Sequence, residues 1–133
     1  MEVSEFELIE SIKNNLLNKP KDTYCSIGDD CAVVKKDNEL VSLYTTDLLI
    51  ENVHFDLKTT SFLELGKKAM SVNISDIAAM AGTPMYALVN LAIPSRIEKN
   101  DISNFYTGLE QIATEFQTAV IGGDLSSSPD LFY

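Results

Sequence analysis

Apolar positions along this chain recur with helical spacing in three stretches and fall into short β-prone runs between them. In the first stretch Phe6, Ile9, Ile12, Leu16 and Leu17 mark one helical face. Ser4 and Glu7 form its capping box, and Asn18-Lys19-Pro20 stops it. Residues 22–30 read as a loop. Strands are expected at 31–34 and 40–46, parted by the polar turn Lys35-Lys36-Asp37-Asn38, and a looser alternation over 47–55 is taken as a third. Ser61-Phe62-Leu63-Glu64 is a second capping box. It opens a helix with Leu65, Ala69, Val72 and Ala79 on one face, Gly82 at its C′ position and Pro84 behind. An apolar strand over 86–93 ends at Pro94. Asn100 or Asp101 caps a third helix, whose core face is Ile102, Phe105, Leu109, Ile112 and Phe116. A short strand at 118–121 runs into Gly122-Gly123-Asp124, and Ser126-Ser127-Ser128 reads as a loop.

The order α, β, β, β, α, β, α, β predicts an α+β or mixed α/β fold, a largely antiparallel sheet with helices on one face. With 133 residues and no repeat or linker, residues 1–133 are expected to form a single domain. Leu131-Phe132-Tyr133 looks like the start of another strand, which predicts that the chain is the front part of a longer protein.

Composition narrows the function. The apolar share of 45% and charged share of 23% are those of a globular chain. A net charge of −10 with no Lys/Arg run argues against nucleic-acid binding. If this chain handles phosphates, it needs metal ions as intermediaries. No apolar run approaches the ~20 residues of a membrane span. The opening Met1-Glu2-Val3-Ser4-Glu5 is acidic where a signal peptide is basic, and Cys25 and Cys31 fit neither a zinc knuckle nor a disulfide scaffold. Reduced thiols and a cytoplasmic location are expected.

Candidate chemistry rests on aspartates. Gly28-Asp29-Asp30, Thr45-Thr46-Asp47 and Gly122-Gly123-Asp124 each set a small or hydroxyl residue beside a carboxylate at a strand or loop boundary. Hard cations such as Mg²⁺ take such oxygen ligands, and adjoining glycines let backbone amides approach a phosphate. Asp beside Gly is also ordinary turn or cap chemistry. Asp76 is the stronger candidate, because it interrupts the apolar helical run Val72-Asn73-Ile74-Ser75-Asp76-Ile77-Ala78-Ala79-Met80, where a carboxylate is costly without a cation or donor. Phosphate-binding loops, EF-hands and a Ser-His-Asp triad find no match, and His54 is the only histidine. Taken alone, His54, Cys31 and Tyr106 are ordinary packing or surface residues.

As an ordered set, Gly28-Asp29-Asp30-Cys31-Ala32, Thr45-Thr46-Asp47, Asn52-Val53-His54-Phe55, the 72–80 run and Gly122-Gly123-Asp124 resemble the N-terminal domain of the thiamine-monophosphate kinase family. That family sits in the superfamily of aminoimidazole ribonucleotide synthetase and selenophosphate synthetase. His54-Phe55 favours the kinase branch. The resemblance implies transfer of the γ-phosphate of ATP to thiamine monophosphate, giving thiamine diphosphate, with several Mg²⁺ ions. Asp30, Thr45, Thr46, Asp47, Asp76 and Asp124 would be metal ligands, with Asp29 a further possible ligand or supporting residue. Gly123, Asp124 and Tyr106 would meet ATP, and His54 the thiamine phosphate. No residue is given a catalytic role of its own, since phosphoryl transfer needs alignment and charge neutralisation more than covalent help. The resemblance also implies a homodimer whose strands join in a barrel, and a C-terminal domain that this chain lacks. The alternatives are another ATP-using member of the superfamily with a different acceptor, and a non-catalytic dimerisation module whose aspartates are caps.

Overall fold

The computed structural model describes residues 4–18 and 21–133. Their elements run α1 (Glu5–Asn15), β1 (Thr23–Cys25), β2 (Ala32–Lys35), β3 (Val41–Tyr44), α2 (Phe62–Ala79), β4 (Tyr86–Pro94), α3 (Lys99–Glu115) and β5 (Ala119–Ser128). The α+β class is as expected. The sheet is divided: β1-β2-β3 are antiparallel, whereas β4 and β5 form a parallel pair joined through α3, as a parallel pair requires. The chain separates into two units, Met1–Thr45 with Asp76–Gly82, and Thr46–Ser75 with Thr83–Tyr133.

In the first unit, the Ser4/Glu7 capping box forms, and the Leu16 amide closes α1 on the Ile12 carbonyl. The expected stop at Pro20 lies outside the described residues. No side chain of α1 is buried: of the predicted apolar stripe Phe6, Ile12, Leu16 and Leu17 stand exposed and Ile9 is half-buried. The three-residue β1 falls inside the stretch read as a loop. The last turn of α2 ends in a Schellman motif: the Ala81 amide donates to Ala78 and the Gly82 amide to Ile77, at 2.9 Å each. The left-handed residue there is Ala81 (φ 55°) and not Gly82. Gly82 is instead held small by Leu43 and Ile77, which a Cβ would meet at 2.3 and 3.0 Å.

In the second unit, Leu65, Met70 and Ile74 of α2, Leu91 of β4, and Phe105, Leu109 and Ala113 of α3 form one core with Phe55 and Phe132. The buried face of α2 therefore runs through Met70 and Ile74; Ala79, expected on it, is exposed. Phe132 is fully buried and meets Phe55, Phe62 and Phe105 edge-on, with centroids 6.3, 5.5 and 6.0 Å apart. Two glycines let the helices approach. A Cβ on Gly66 of α2 would lie 1.9 Å from the Phe105 carbonyl oxygen, and one on Gly108 of α3 would lie 1.8 Å from that of Leu63.

Four further expectations change here. The Ser61/Glu64 box forms, but α3 starts earlier than predicted, with N-cap Glu98 whose amide donates to Asp101. Residues 47–55 form no strand, because the Asn52, Val53 and His54 amides are spent inside a tight loop on the Phe55 and Ile50 carbonyls. β5 continues through Gly122-Gly123-Asp124 and the serine run, which are strand and not loop. Leu131–Tyr133 is assigned to no strand, yet Tyr133 exchanges both backbone hydrogen bonds with Ala92, at 3.1 Å each. No helix among the described residues is long and apolar enough to cross a membrane.

Candidate functional site

The candidate residues are shared between the two units. In the first, the turn between β1 and β2 is built by Asp29. One of its carboxylate oxygens accepts the Asp30 amide at 2.9 Å and the other accepts the Cys25 thiol at 3.5 Å. Asp29 thereby shapes the loop, and Asp30 stands exposed beside it. Cys31 is buried under this turn. Burial pushes its thiol up, and the carboxylates of Asp76, Asp30 and Asp29 add to the effect in that order. Cys31 is thus a core thiol poorly suited to act as a nucleophile. Thr45, just past β3, donates its hydroxyl to Asp76 Oδ2 at 2.6 Å. That half-buried pair supplies the donor that a carboxylate in an apolar helix requires.

In the second unit, the Asp47 amide donates to Asn73 Oδ1 at 3.2 Å, while the Asn73 amide group donates to the Ala69 carbonyl. Asn73, a polar residue in an apolar helix, holds the Thr46-Asp47 segment by its backbone and leaves both of those side chains exposed. Asp124 lies opposite Asn90 in the β4–β5 ladder and accepts from the Ser126 hydroxyl at 2.9 Å. Gly123 before it has φ 149°, and a Cβ there would lie 1.8 Å from the Val89 carbonyl oxygen, so only glycine fits. Tyr106 is half-buried, edge-on to Phe105 at 5.6 Å, and burial pushes its phenol up. It borders a shallow groove along α3 with Ser103, Thr107, Glu110 and Thr114. His54 occupies the tight 50–55 loop. Its Nδ1 accepts the Ile50 amide at 2.9 Å, and its carbonyl accepts the Lys68 ammonium.

The structure therefore joins Thr45 to Asp76 directly and ties Asp29 to the Asp30 amide and the Cys25 thiol. It gives Asp47, His54, Tyr106, Gly123 and Asp124 separate supports. Among the described residues, no three His, Cys, Asp or Glu side chains gather into a metal-binding group. The donors present are carboxylate and hydroxyl oxygens, a chemistry that suits Mg²⁺ rather than a soft metal. Lys68 lies on an exposed helical face among ordinary charges, and no local signal in the sequence separates it from Lys67.

The family model "AIR synthase related protein, N-terminal domain" matches residues 28–133. The thiamine-monophosphate kinase of Bacillus subtilis strain 168 is 38% identical over 128 residues, and that of Aquifex aeolicus strain VF5 is 39% identical over 127; each match covers 96% of this chain and 39% of the relative. The solved structure of AaThiL complexed with AMPPCP and TMP superposes with a TM-score of 0.86 at 36% identity, over 99% of this chain and 41% of that one. The chain spans about two-fifths of the length of these relatives. It belongs to the AIR synthase related family, whose N-terminal domain it carries from Gly28 through Tyr133.

Proposed function

We propose that this chain is the ATP- and Mg²⁺-binding portion of a thiamine-monophosphate kinase, which phosphorylates thiamine monophosphate to thiamine diphosphate at the expense of ATP. The observation that carries the reading is the superposition of nearly the whole chain on a relative complexed with AMPPCP and TMP. In this reading Asp30, Thr45, Thr46, Asp47, Asp76 and Asp124 are the metal ligands. Bound Mg²⁺ neutralises the phosphate oxygens and aligns them for transfer. The chain's own residues bind and orient. Thr45 holds the Asp76 carboxylate, and Asn73 fixes the Asp47 backbone. Gly123 keeps the strand backbone close to β4 beside Asp124, Tyr106 meets the nucleotide, and His54 meets the thiamine phosphate. In the longer relatives, residues beyond the matched segment would complete the active site.

A second copy of the chain is the proposed partner. The support is an exposed apolar surface on β4 and β5, where Tyr86 and Leu88 are 66% and 67% exposed and Ile121 is 61% exposed. The free cysteines Cys25 and Cys31 support a reducing, cytoplasmic setting.

The test is a thermal melt of the chain with Mg²⁺ and AMPPCP, beside Asp47→Asn. A ligand that binds only the native state raises the melting temperature by mass action. A rise that Asp47→Asn abolishes supports the reading. A melting temperature indifferent to Mg²⁺ and AMPPCP overturns the nucleotide-binding role of this chain.

A further inference from the structure

The 50–55 loop is closed by its own backbone. The Val53 and His54 amides both donate to the Ile50 carbonyl, at 3.1 and 2.8 Å, and the Asn52 amide donates to the Phe55 carbonyl at 2.7 Å. Asn52 takes the left-handed conformation this demands (φ 65°), which Asn tolerates better than most residues. The loop is pinned at both ends. Glu51 exchanges hydrogen bonds with Phe132, its amide to the Phe132 carbonyl and its carboxylate from the Phe132 amide, at 3.0 and 2.9 Å; Phe55 is buried in the aromatic core. Within this frame the Ile50 amide donates to His54 Nδ1. A backbone amide can only donate, so Nδ1 is the ring's acceptor, and a neutral imidazole then carries its proton on Nε2. His54 is exposed, and among the described residues nothing accepts from Nε2. From α2, the Lys68 ammonium reaches the His54 carbonyl and ties the loop to the helix.

We propose that His54 is locked as the Nε2–H tautomer by Ile50, that Lys68 is the positioning residue for the lock, and that the loop offers one neutral hydrogen-bond donor to an anionic oxygen, here a phosphate monoester. The choice of ligand rests on the kinase reading above; the lock does not. A neutral donor gives direction without charge, so it selects an oxygen in one place and leaves phosphate neutralisation to other groups.

Because His54 is the only histidine, its ring nitrogens can be read without ambiguity in the ¹⁵N-labelled full chain. Long-range ¹H–¹⁵N correlation at alkaline pH is expected to show Nε2 protonated, Nδ1 as an acceptor, and a coupling across the hydrogen bond to the Ile50 nitrogen. A protonated Nδ1, or two averaged nitrogens, overturns the lock. Lys68→Met is expected to move both nitrogens toward averaging and to speed Ile50 amide exchange several-fold, with Lys68→Arg restoring the wild-type pattern. An unchanged spectrum in Lys68→Met overturns the positioning role. Titration with thiamine monophosphate is expected to shift the Nε2 proton. If that proton stays put while the lock is present, the ligand assignment fails and the lock stands. If the lock is absent, the inference fails even where the ligand binds.

Discussion

Replacing Gly108 with alanine sets two effects of opposite sign against each other. In an isolated helix the change is favourable by about 1 kcal/mol, because alanine loses less backbone entropy than glycine. In this molecule the new methyl would sit 1.8 Å from the Leu63 carbonyl oxygen, 2.7 Å from its carbon and 3.1 Å from its Cα, all of them backbone atoms that cannot rotate away. Ordinary contact begins at 3.4 Å, so α2 and α3 must part by about 1.6 Å, the difference between 3.4 and 1.8. A gap of that size forfeits more than half of the dispersion energy along the seam of Leu65, Met70, Phe105 and Leu109. Overpacking of this kind typically costs about 1–3 kcal/mol, and rigid backbone on both sides puts this case at the upper end. The expected net loss for Gly108→Ala is therefore about 2 kcal/mol, measured by urea denaturation followed in the far ultraviolet. Gly66→Ala, facing Phe105 at 1.9 Å, should behave alike. The double variant should lose much less than the two single losses together, since helices already parted accommodate the second methyl. A Gly108→Ala protein as stable as the wild type would refute the reasoning, and fully additive losses would refute the shared seam.

Ala81→Gly should stabilise the chain by about 0.5–1 kcal/mol, because it relieves a left-handed alanine at the end of α2; a lower unfolding midpoint would contradict the assigned cap. Burial opposes ionisation of Glu51, but the Phe132 amide and the Arg96 guanidinium outweigh it and hold the carboxyl below its ordinary value. Its stabilising contribution is thus complete above the ordinary glutamate value of 4.5 and is lost as pH falls toward the lower folded value. The stability gap between wild type and Glu51→Gln should accordingly narrow on acidification, and a gap constant from neutral to acid pH would count against the network. Thr45→Val should cost about 1 kcal/mol in urea by leaving Asp76 without its 2.6 Å donor, while Thr45→Ser should keep most of that stability. Equal midpoints for the Val and Ser variants would show that the hydroxyl contributes nothing.

Features dictated by neighbours in sequence were legible from the chain alone. Both serine capping boxes formed as read, because side chain and amide lie within one turn of each other, and all three helices exist, although α3 starts at Lys99 behind Glu98. What depended on distant partners was not. β1 is three residues long and exists through its pairing with β2; its Thr and Tyr suit a strand, but the run is too short to show a period of two. Gly122-Gly123-Asp124 has the composition of a turn, yet nine residues of β4 draw it into a ladder. The α2 terminus looked as though Gly82 should turn the chain; contact with Leu43 explains that glycine, and the strained turn falls to Ala81. Among the candidate site residues, Asp76 declared itself as a polar position in an apolar helix, and it has a partner in Thr45. Lys68 gave no such sign, since its significance lies in a carbonyl fourteen residues away in the chain. Gly66 and Gly108 look locally like weak points of their helices, and their purpose shows only where the two backbones meet.

The central place of Phe132 bears on the order in which the molecule can be made. Its ring closes against Phe55, Phe62 and Phe105, all of which leave the ribosome earlier. Until residue 132 emerges, those three rings border a gap that nothing upstream fills, while α2, β4 and α3 have already been synthesised. Local helices and the first hairpins can form during translation; the aromatic centre cannot. The nascent chain therefore passes through a stage with helices formed and its largest apolar residues still unsealed, the stage at which a chaperone has most to hold.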